Sequence, residues 1–493
     1  MYVVALAFSA LTLVLVGGWY ARSRYFSMFH PFSVYLLFHG FLFVVRPIFA
    51  YLLDYRLMYQ VYQFTPSDSD KLTVIIASNL GFLSFAFFCF RNGMVEMRFK
   101  NDSVSEMDRV RLARVFIYIA AICLPLGFYS MMKSWGQANE GVLYADMAMD
   151  KGTGIFVNTN SNGYLSDAQL LLASCGVVFA WLFRFRLLAL MPLLAFVIMK
   201  AGTGGRGAFV TSLVSVALLW LYEQRRKYPS FRAAALLVGV ALAFNTVGAD
   251  RGRFVRQMVG SDNTVDYAAS GVGDKFLERM DFANLEFFEY LVYAVPQRSH
   301  TYGYFLDNLE IFTEPIPRVL WKGKPIGAPF ERIFLWNYGQ PIGITRSLPG
   351  EGWFSLGWLG VVIWCGLWGW GLGWIYRRWV EGPQNTLQTI GYAIFLPTLI
   401  VAFRDGALLT LVRQSGEYLA PVVLLYLFAR GMGIPSAQEV RAMLARRARA
   451  LAVSRQPGNA ESPTRALPPQ LAQLPAAVQR RRLALKRASA RPA

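Results

Sequence analysis

Arginine side chains that could bind a phosphate group stand at the ends of several apolar segments. One lies in the turn 202–207, whose sequence is Gly-Thr-Gly-Gly-Arg-Gly, and others follow an apolar run in segment 250–256. Glycines let a backbone approach a ligand and expose its N–H groups, and a guanidinium forms paired hydrogen bonds to phosphate oxygens. This pattern predicts a phosphate or pyrophosphate site. The arginines concerned are Arg46, Arg206, Arg251, Arg253, Arg404 and Arg413.

The composition indicates which elements must position these arginines. Hydrophobic residues make up 55% of the 493 residues and charged residues only 16%, against about 25% charged residues in a typical soluble chain. A single hydrophobic core of a soluble protein stops growing at about 250–300 residues. This much apolar sequence therefore needs lipid as its solvent. The composition excludes a disordered chain, a collagen-like fibre and a disulfide-stapled secreted module. All four cysteines lie inside apolar runs, so no disulfide framework or zinc site is predicted.

Eleven apolar segments are candidates for transmembrane helices, because about 17–25 apolar residues cross the hydrocarbon core of a bilayer. We therefore predict an all-α polytopic membrane protein with eight helices within 1–248 and three within 353–429. The connection 249–352 is expected to form a large helical loop, and a loop of that length usually carries function. The predicted spans are 2–19, 32–53, 71–90, 112–132, 165–183, 186–200, 207–222, 232–248, 353–376, 388–402 and 407–429.

The basic residues of the short connections predict the orientation. Sixteen Lys and Arg residues fall on one side and about seven on the other, so the richer side is expected in the cytoplasm. This places the N-terminus and the loop 249–352 outside. The tail 430–493, with 13 Lys and Arg against two acids, is expected to be cytoplasmic and largely disordered, although 439–453 could lie as a helix on anionic lipid. The net charge of +19 thus does not indicate a nucleic-acid partner.

Each outer arginine, taken alone, could be a side chain that reaches lipid headgroups. Taken together they occupy the side from which the orientation rule depletes positive charge, which favours a shared site.

Four motifs resemble the bacterial O-antigen polymerases of the Wzy type. They are Arg206 in GTGGRGA, the element Asp250-Arg251-Gly252, the run PIPRVLWKGKP at 315–325 and the run PGEGWFSLGWLG at 349–360. The motifs cover roughly 200–430, and the run 316–325 is the most specific of them. By topology the resemblance covers the whole chain.

The resemblance implies a GT-C-like helical membrane fold and a transferase of the bacterial inner membrane. Such enzymes join oligosaccharide repeat units that are carried on undecaprenyl pyrophosphate at the periplasmic face. The growing glycan moves from its lipid carrier to a newly flipped repeat unit. No nucleotide sugar, metal or other cofactor is expected. The expected partners are the lipid-linked oligosaccharide and membrane lipids, with a chain-length regulator and a flippase as further candidates.

The resemblance also implies roles for particular residues. Arg206 and Arg251 match the functional arginine–glycine loops of the family, Arg318 and Lys324 its periplasmic-loop element, and Arg404 its late arginine. Guanidinium groups in a partly dry cavity would stabilise the charge that develops on a departing pyrophosphate.

The acceptor hydroxyl must lose a proton, so a carboxylate is expected as general base. Glu351 is the first candidate, Asp250 the second and Asp405 the third. Glu351 could equally be an acidic residue that favours the start of its own helix.

Two further sets of residues have competing explanations. Asp68 and Asp70 could bind a metal, but they precede a span directly, where Ser and Asp cap helices. The aromatics near the large loop could stack on sugars or form an interfacial belt. They are Trp321, Trp336, Tyr338, Trp353 and Trp358.

Two other functions stay open. O-antigen ligases share the expected architecture and carry a functional histidine in the large outer loop, where this chain has His300 followed by Thr-Tyr-Gly. A transporter of lipid-linked glycans would instead need a cationic cavity that continues to mid-bilayer, whereas the charges here stop near the outer ends.

Overall fold

The computed structural model describes most of the chain. The described ranges are 1–100, 103–140, 147–149, 156–158, 168–202, 207–231, 277–278, 282–316, 320–324, 328–339, 345–435 and 437–454.

Helices dominate the described residues. The short strands β1 (Met147–Met149) and β2 (Phe156–Asn158) pair in antiparallel fashion. A π-helical turn, Gly40–Val45, joins α2 to α3, and two 3₁₀ turns lie at Leu306–Leu309 and Leu335–Asn337. The helices are α1 (Tyr2–Arg22), α2 (Pro31–His39), α3 (Arg46–Leu52), α4 (Leu57–Tyr62), α5 (Asp68–Gly93), α6 (Ser103–Glu140), α7 (Leu170–Leu182), α8 (Leu187–Gly202), α9 (Gly207–Glu223), α10 (Asn284–Ala294), α11 (Glu310–Thr313), α12 (Leu348–Glu381), α13 (Thr386–Asp405), α14 (Leu408–Gly431) and α15 (Ala437–Ser454).

Six helical segments of the described chain are long and apolar enough to cross a membrane: α1, α2–α3, α5, α6, α12 and α13. Each coincides with a predicted span, which supports a helical multi-pass membrane protein. The helices α7, α8 and α9 are apolar but shorter. α14 is long enough, but its first half carries Arg413 and Glu417, and it is not among the six. The predicted span 232–248 lies outside the described residues. The number of eleven spans and the GT-C-like arrangement stay predictions.

α5 and α12 form the most extensive helix pair among the described residues, and glycines permit their close approach. A Cβ atom on Gly369 would lie 2.4 Å from the carbonyl oxygen of Phe85, and one on Gly373 would lie 2.5 Å from that of Cys89. Small residues at such spacing bring two helical backbones together in a membrane. The glycines of α12 therefore permit its close contact with α5.

α12 begins before the predicted span 353–376 and contains a break. Leu356 and Gly357 leave the helical conformation, and Gly357 has a φ of +58°. A Cβ on Gly360 would lie 1.9 Å from the carbonyl oxygen of Gly352, so the two sides of the break touch through their backbones. The segment 348–355 is thus a short helix that lies against the start of the main span.

Glu439–Ala493 forms a second compact unit, separate from Met1–Gln438. Its described part is the portion of α15 that begins at Glu439. This part falls in the segment for which the sequence predicted a basic tail. Residues 455–493 lie outside the described residues.

Candidate functional site

The turn between α13 and α14 is at the centre of a group of charged side chains. α13 ends at Asp405, and Gly406 follows with a φ of +80°, which L side chains rarely adopt. A Cβ on Gly406 would lie 2.2 Å from the carbonyl oxygen of Ser347 and 2.9 Å from Cβ of Glu351. Glycine is therefore required both by the backbone conformation and by the close contact with the start of α12.

Hydrogen bonds from two other segments fix the backbone of this turn. The carbonyl oxygen of Arg404 accepts from the Ser347 N–H at 2.8 Å and from the Asn284 side-chain amide at 3.0 Å. The indole N–H of Trp364 donates to the Gly406 carbonyl oxygen at 2.9 Å. α10 and α12 thus hold the end of α13 in place.

The backbone of Arg404 is fixed in this way, but its guanidinium has no partner of its own among the described residues. No hydrogen bond or ion pair reaches it from them, and its Nε atom is buried. The side chain as a whole is partly exposed. Buried donors in native proteins are almost always paired, so an anionic ligand is a natural partner for this group.

Glu351 lies in a buried network beside the turn. Its Oε2 accepts from Arg346 Nη1 at 3.0 Å and its Oε1 accepts from Asn308 Nδ2 at 2.8 Å. Arg346 also forms an ion pair with Asp307 at 2.7 Å. Asn308 in turn accepts the backbone N–H of Leu408, the first residue of α14, at 2.9 Å. One side chain therefore joins the start of α12 to the start of α14.

Arg346 stays cationic in this buried setting. Burial lowers the pKa of its guanidinium, but the charges of Asp307 and Glu351 outweigh that effect and leave the pKa above its usual range. The guanidinium also stacks on the ring of Phe354, 3.9 Å from its centroid. Arg346 was not among the residues singled out in the sequence. The sequence signal that could have identified Arg346 was its position directly before Ser347, which caps α12 on the side expected to lie outside the membrane.

The three candidate bases differ in burial and in whether the structure describes them. Glu351 is buried, and both of its oxygens already accept a hydrogen bond. Asp405 is partly exposed and accepts one hydrogen bond, from the Thr410 hydroxyl at 3.1 Å. Asp250 lies outside the described residues. The geometry favours Asp405 for proton transfer, and the assignment stays a prediction.

Lys324 and Arg413, two predicted binding residues, meet at one carboxylate. The Lys324 ammonium lies 3.0 Å from Oε2 of Glu314, and the Arg413 guanidinium lies 3.8 Å from Oε1 of the same residue. Arg413 also pairs with Glu417 at 3.2 Å. The segment 306–314 thus runs along the first part of α14, with Asn308 at one end and Glu314 at the other.

Arg46 lies in a second buried cluster. Pro47 cannot donate a backbone hydrogen bond, and the preceding turn is π-helical, so that the Arg46 N–H donates to the Phe41 carbonyl oxygen. Arg46 itself is fully buried and pairs with Glu286 of α10.

α10 connects this cluster to the Arg404 turn. Its Glu286 pairs with Arg46, and Asn284, two residues earlier, donates to the Arg404 carbonyl oxygen. Burial raises the pKa of the Tyr62 phenol, Glu286 raises it further, and Arg46 and Arg404 lower it. Both guanidinium groups therefore act on one side chain. The structure brings Arg46 and Arg404 to the same region.

The remaining predicted site residues lie outside the described residues. They are Arg206, Asp250, Arg251, Arg253 and Arg318.

Ser67 and Asp70 form a capping box at the start of α5. The Ser67 hydroxyl accepts from the Asp70 N–H at 3.1 Å, and Asp70 Oδ2 accepts from the Ser67 N–H at 2.9 Å. This is the capping that the sequence favoured over metal binding. The other Asp70 oxygen accepts from Gln297 at 2.8 Å.

Comparisons with protein-family models, with curated proteins and with solved structures each found no match. The likeness to Wzy-type polymerases therefore rests on the sequence motifs alone.

Proposed function

We propose that this chain is a polysaccharide polymerase of the bacterial inner membrane. It transfers a growing glycan from undecaprenyl pyrophosphate to the non-reducing end of an incoming lipid-linked repeat unit, at the periplasmic face. The product is an O-antigen, capsule or exopolysaccharide.

The observation that carries the proposal is the state of Arg404. Its backbone is tied to α10 and α12, while its guanidinium has no partner among the described residues. A guanidinium that is already in position can stabilise negative charge without reorganisation in the transition state. The apolar helices around it suit a substrate with a long lipid chain.

The proposed reaction breaks the bond between the anomeric carbon of the donor glycan and the pyrophosphate oxygen, which keeps the electron pair. A new bond forms between that carbon and a hydroxyl oxygen of the acceptor sugar. The hydroxyl proton passes to a carboxylate, for which Asp405 is best placed among the described candidates. Arg404 binds the departing pyrophosphate, whereas Arg413 and Lys324 both pair with Glu314.

Reconstitution tests the proposal. The purified chain, in proteoliposomes with a lipid-linked repeat unit from the same organism, should give products whose sizes differ by one repeat unit. Sizing by gel or mass spectrometry reports the ladder without any other enzyme present.

Two other results would overturn the proposal in favour of a rival. Transfer of the glycan only after lipid A core is added would identify a ligase. Movement of the substrate between leaflets, with no new glycosidic bond, would identify a transporter.

A further inference from the structure

Glu351 is placed to hold other groups and is poorly placed to accept a proton from a substrate. Its carboxylate is buried, with one oxygen bound to Arg346 and the other to Asn308. A general base must come within hydrogen-bond reach of the hydroxyl it deprotonates. The acceptor hydroxyl would have to displace one of these partners first.

Asn308 uses both ends of its side-chain amide. Its nitrogen donates to Glu351 Oε1 at 2.8 Å, and its oxygen accepts the Leu408 N–H at 2.9 Å. Leu408 begins α14, three residues after Asp405. The orientation of the amide therefore couples the Glu351 carboxylate to the turn that carries Arg404 and Asp405.

We propose that Glu351 and Asn308 form a positioning pair for the proposed reaction, which fixes the turn 404–408 so that Arg404 and Asp405 face the substrate. Arg346 extends the pair by binding the second oxygen of Glu351, and Asp307 in turn pairs with Arg346. The inference rests on the proposed polymerase function and assigns these residues a role within it.

The chemistry of the pair permits a swap that separates positioning from proton transfer. In Asn308→Asp with Glu351→Gln, the new Gln amide can donate to the new Asp carboxylate, which reverses the direction of the hydrogen bond. The Asp carboxylate can still accept the Leu408 N–H, and the Gln carbonyl can still accept from Arg346. The side chains keep their sizes, and the pair keeps its net charge.

The single variants are expected to fail. Asn308→Asp sets two carboxylates against each other. Glu351→Gln leaves one carbonyl oxygen to face two donors, Asn308 and Arg346, so its NH₂ group must point at one of them. Each should lower kcat of the reconstituted chain by about 100-fold, because a misplacement of about 1 Å at reacting groups has that effect. KM should change little, since the residues do not touch the substrate.

The double variant Asn308→Asp/Glu351→Gln should regain kcat to within about tenfold of the wild-type value, because both hydrogen bonds are restored. It should also regain the wild-type Tm in detergent. If kcat of the double variant stays as low as that of Glu351→Gln while Tm recovers, Glu351 is the base and the proposal is wrong. If neither recovers, the reversed hydrogen bond does not form and the proposal is equally contradicted.

A second variant tests the pair without altering it. Asp307→Asn weakens the hold on Arg346 and should lower kcat with KM retained; an unchanged kcat would contradict the extended network. Asn92→Asp provides the matched control and should leave kcat unchanged, since Asn92 lies at the far end of α5 and its side chain donates a hydrogen bond to the Trp370 carbonyl oxygen. A wild-type chain that forms no polymer would refute the proposed function itself, which is a separate result.

Discussion

Arg404 combines a constrained backbone with an uncommitted guanidinium. The constraint comes from Ser347 and Asn284, which both donate to its carbonyl oxygen. The freedom of the guanidinium distinguishes it, among the described residues, from Arg46 and Arg346, whose charges are already paired with carboxylates. We therefore assign anion binding to Arg404 and structural roles to Arg46 and Arg346.

Substitution of Arg404 tests this assignment. Arg404→Gln should lower kcat of polymerisation by about 100- to 1,000-fold, the range seen when one preorganised oxyanion donor is removed. Arg404→Lys should recover only part of the loss, because lysine keeps the charge but lacks the paired donors.

The matched control is Arg430→Gln at the last turn of α14, where the side chain is exposed and contacts Tyr426. It should leave the rate of polymerisation within about twofold of wild type, as surface substitutions usually do. Wild-type polymerisation by Arg404→Gln would remove this residue from the mechanism.

The sequence predicted Arg404, Arg413 and Lys324 as members of one binding site, because arginine on a side where positive charge is depleted is informative. Their shared role stays a prediction. It could not pair Arg46 with Glu286, since 240 residues separate them and each lies in apolar surroundings. The periodicity of apolar residues does not indicate which side chains, distant in sequence, contact one another.

At the scale of helices, the contact between α5 and α12 depends on the absence of side chains at Gly369 and Gly373. Gly369→Ala would place a Cβ 2.4 Å from the Phe85 carbonyl oxygen. We expect the free energy of unfolding to fall by about 1–3 kcal/mol, as is typical of overpacked cores. The lower Tm can be measured by thermal melting in detergent.

Gly371→Ala is the control for this substitution. It lies between the two contact glycines on α12, and a Cβ there would meet nothing within 4 Å. Alanine favours a helix over glycine by up to about 1 kcal/mol, so Tm should stay or rise. Equal losses of Tm in the two variants would refute the close contact.

Glu289 on α10 gives the protein a dependence on pH. Burial and the nearby charge of Glu286 raise the pKa of its carboxyl from 4.5 to about 8, against the opposing effects of Tyr59, Lys71 and Arg46. The folded state therefore holds a proton that the unfolded state releases between those values. Stability from this group is present at pH 4.5 and is lost as pH rises to about 8.

Glu289→Gln mimics the protonated carboxyl and should remove this dependence. The Tm of the variant relative to wild type should rise as pH goes from 5 to 8 and then level off. Tyr59, which donates to Glu289 at 2.6 Å, can make the same hydrogen bond to the amide oxygen. A difference in Tm that stays constant with pH would contradict the shifted pKa.

The sequence located six apolar spans well, because their length and composition suffice. It placed the start of α12 at 353, whereas the helix begins at Leu348 and breaks at Leu356. The apolar residues run continuously through this break, so hydropathy could not reveal it. Gly357 and the contact between Gly352 and Gly360 decide the conformation there.

At the scale of the whole molecule, the proposed orientation makes a prediction about accessibility. Lys322 and Gln224 are exposed, and all four native cysteines are buried. In intact cells whose outer membrane has been opened, a membrane-impermeant maleimide should label Lys322→Cys but should label Gln224→Cys only after the inner membrane is permeabilised. The reverse pattern would invert the topology and place the Arg404 turn in the cytoplasm.

The central claim is that this chain forms glycosidic bonds at the expense of the bond between the donor glycan and its lipid pyrophosphate. The most direct measurement counts both products in one reaction of the reconstituted chain with a lipid-linked repeat unit. We predict one free undecaprenyl pyrophosphate for every new linkage between repeat units, with both products formed by Arg404→Gln at a rate lower by about 100- to 1,000-fold. Longer glycan without release of the lipid pyrophosphate, or its release without longer glycan, would contradict the account.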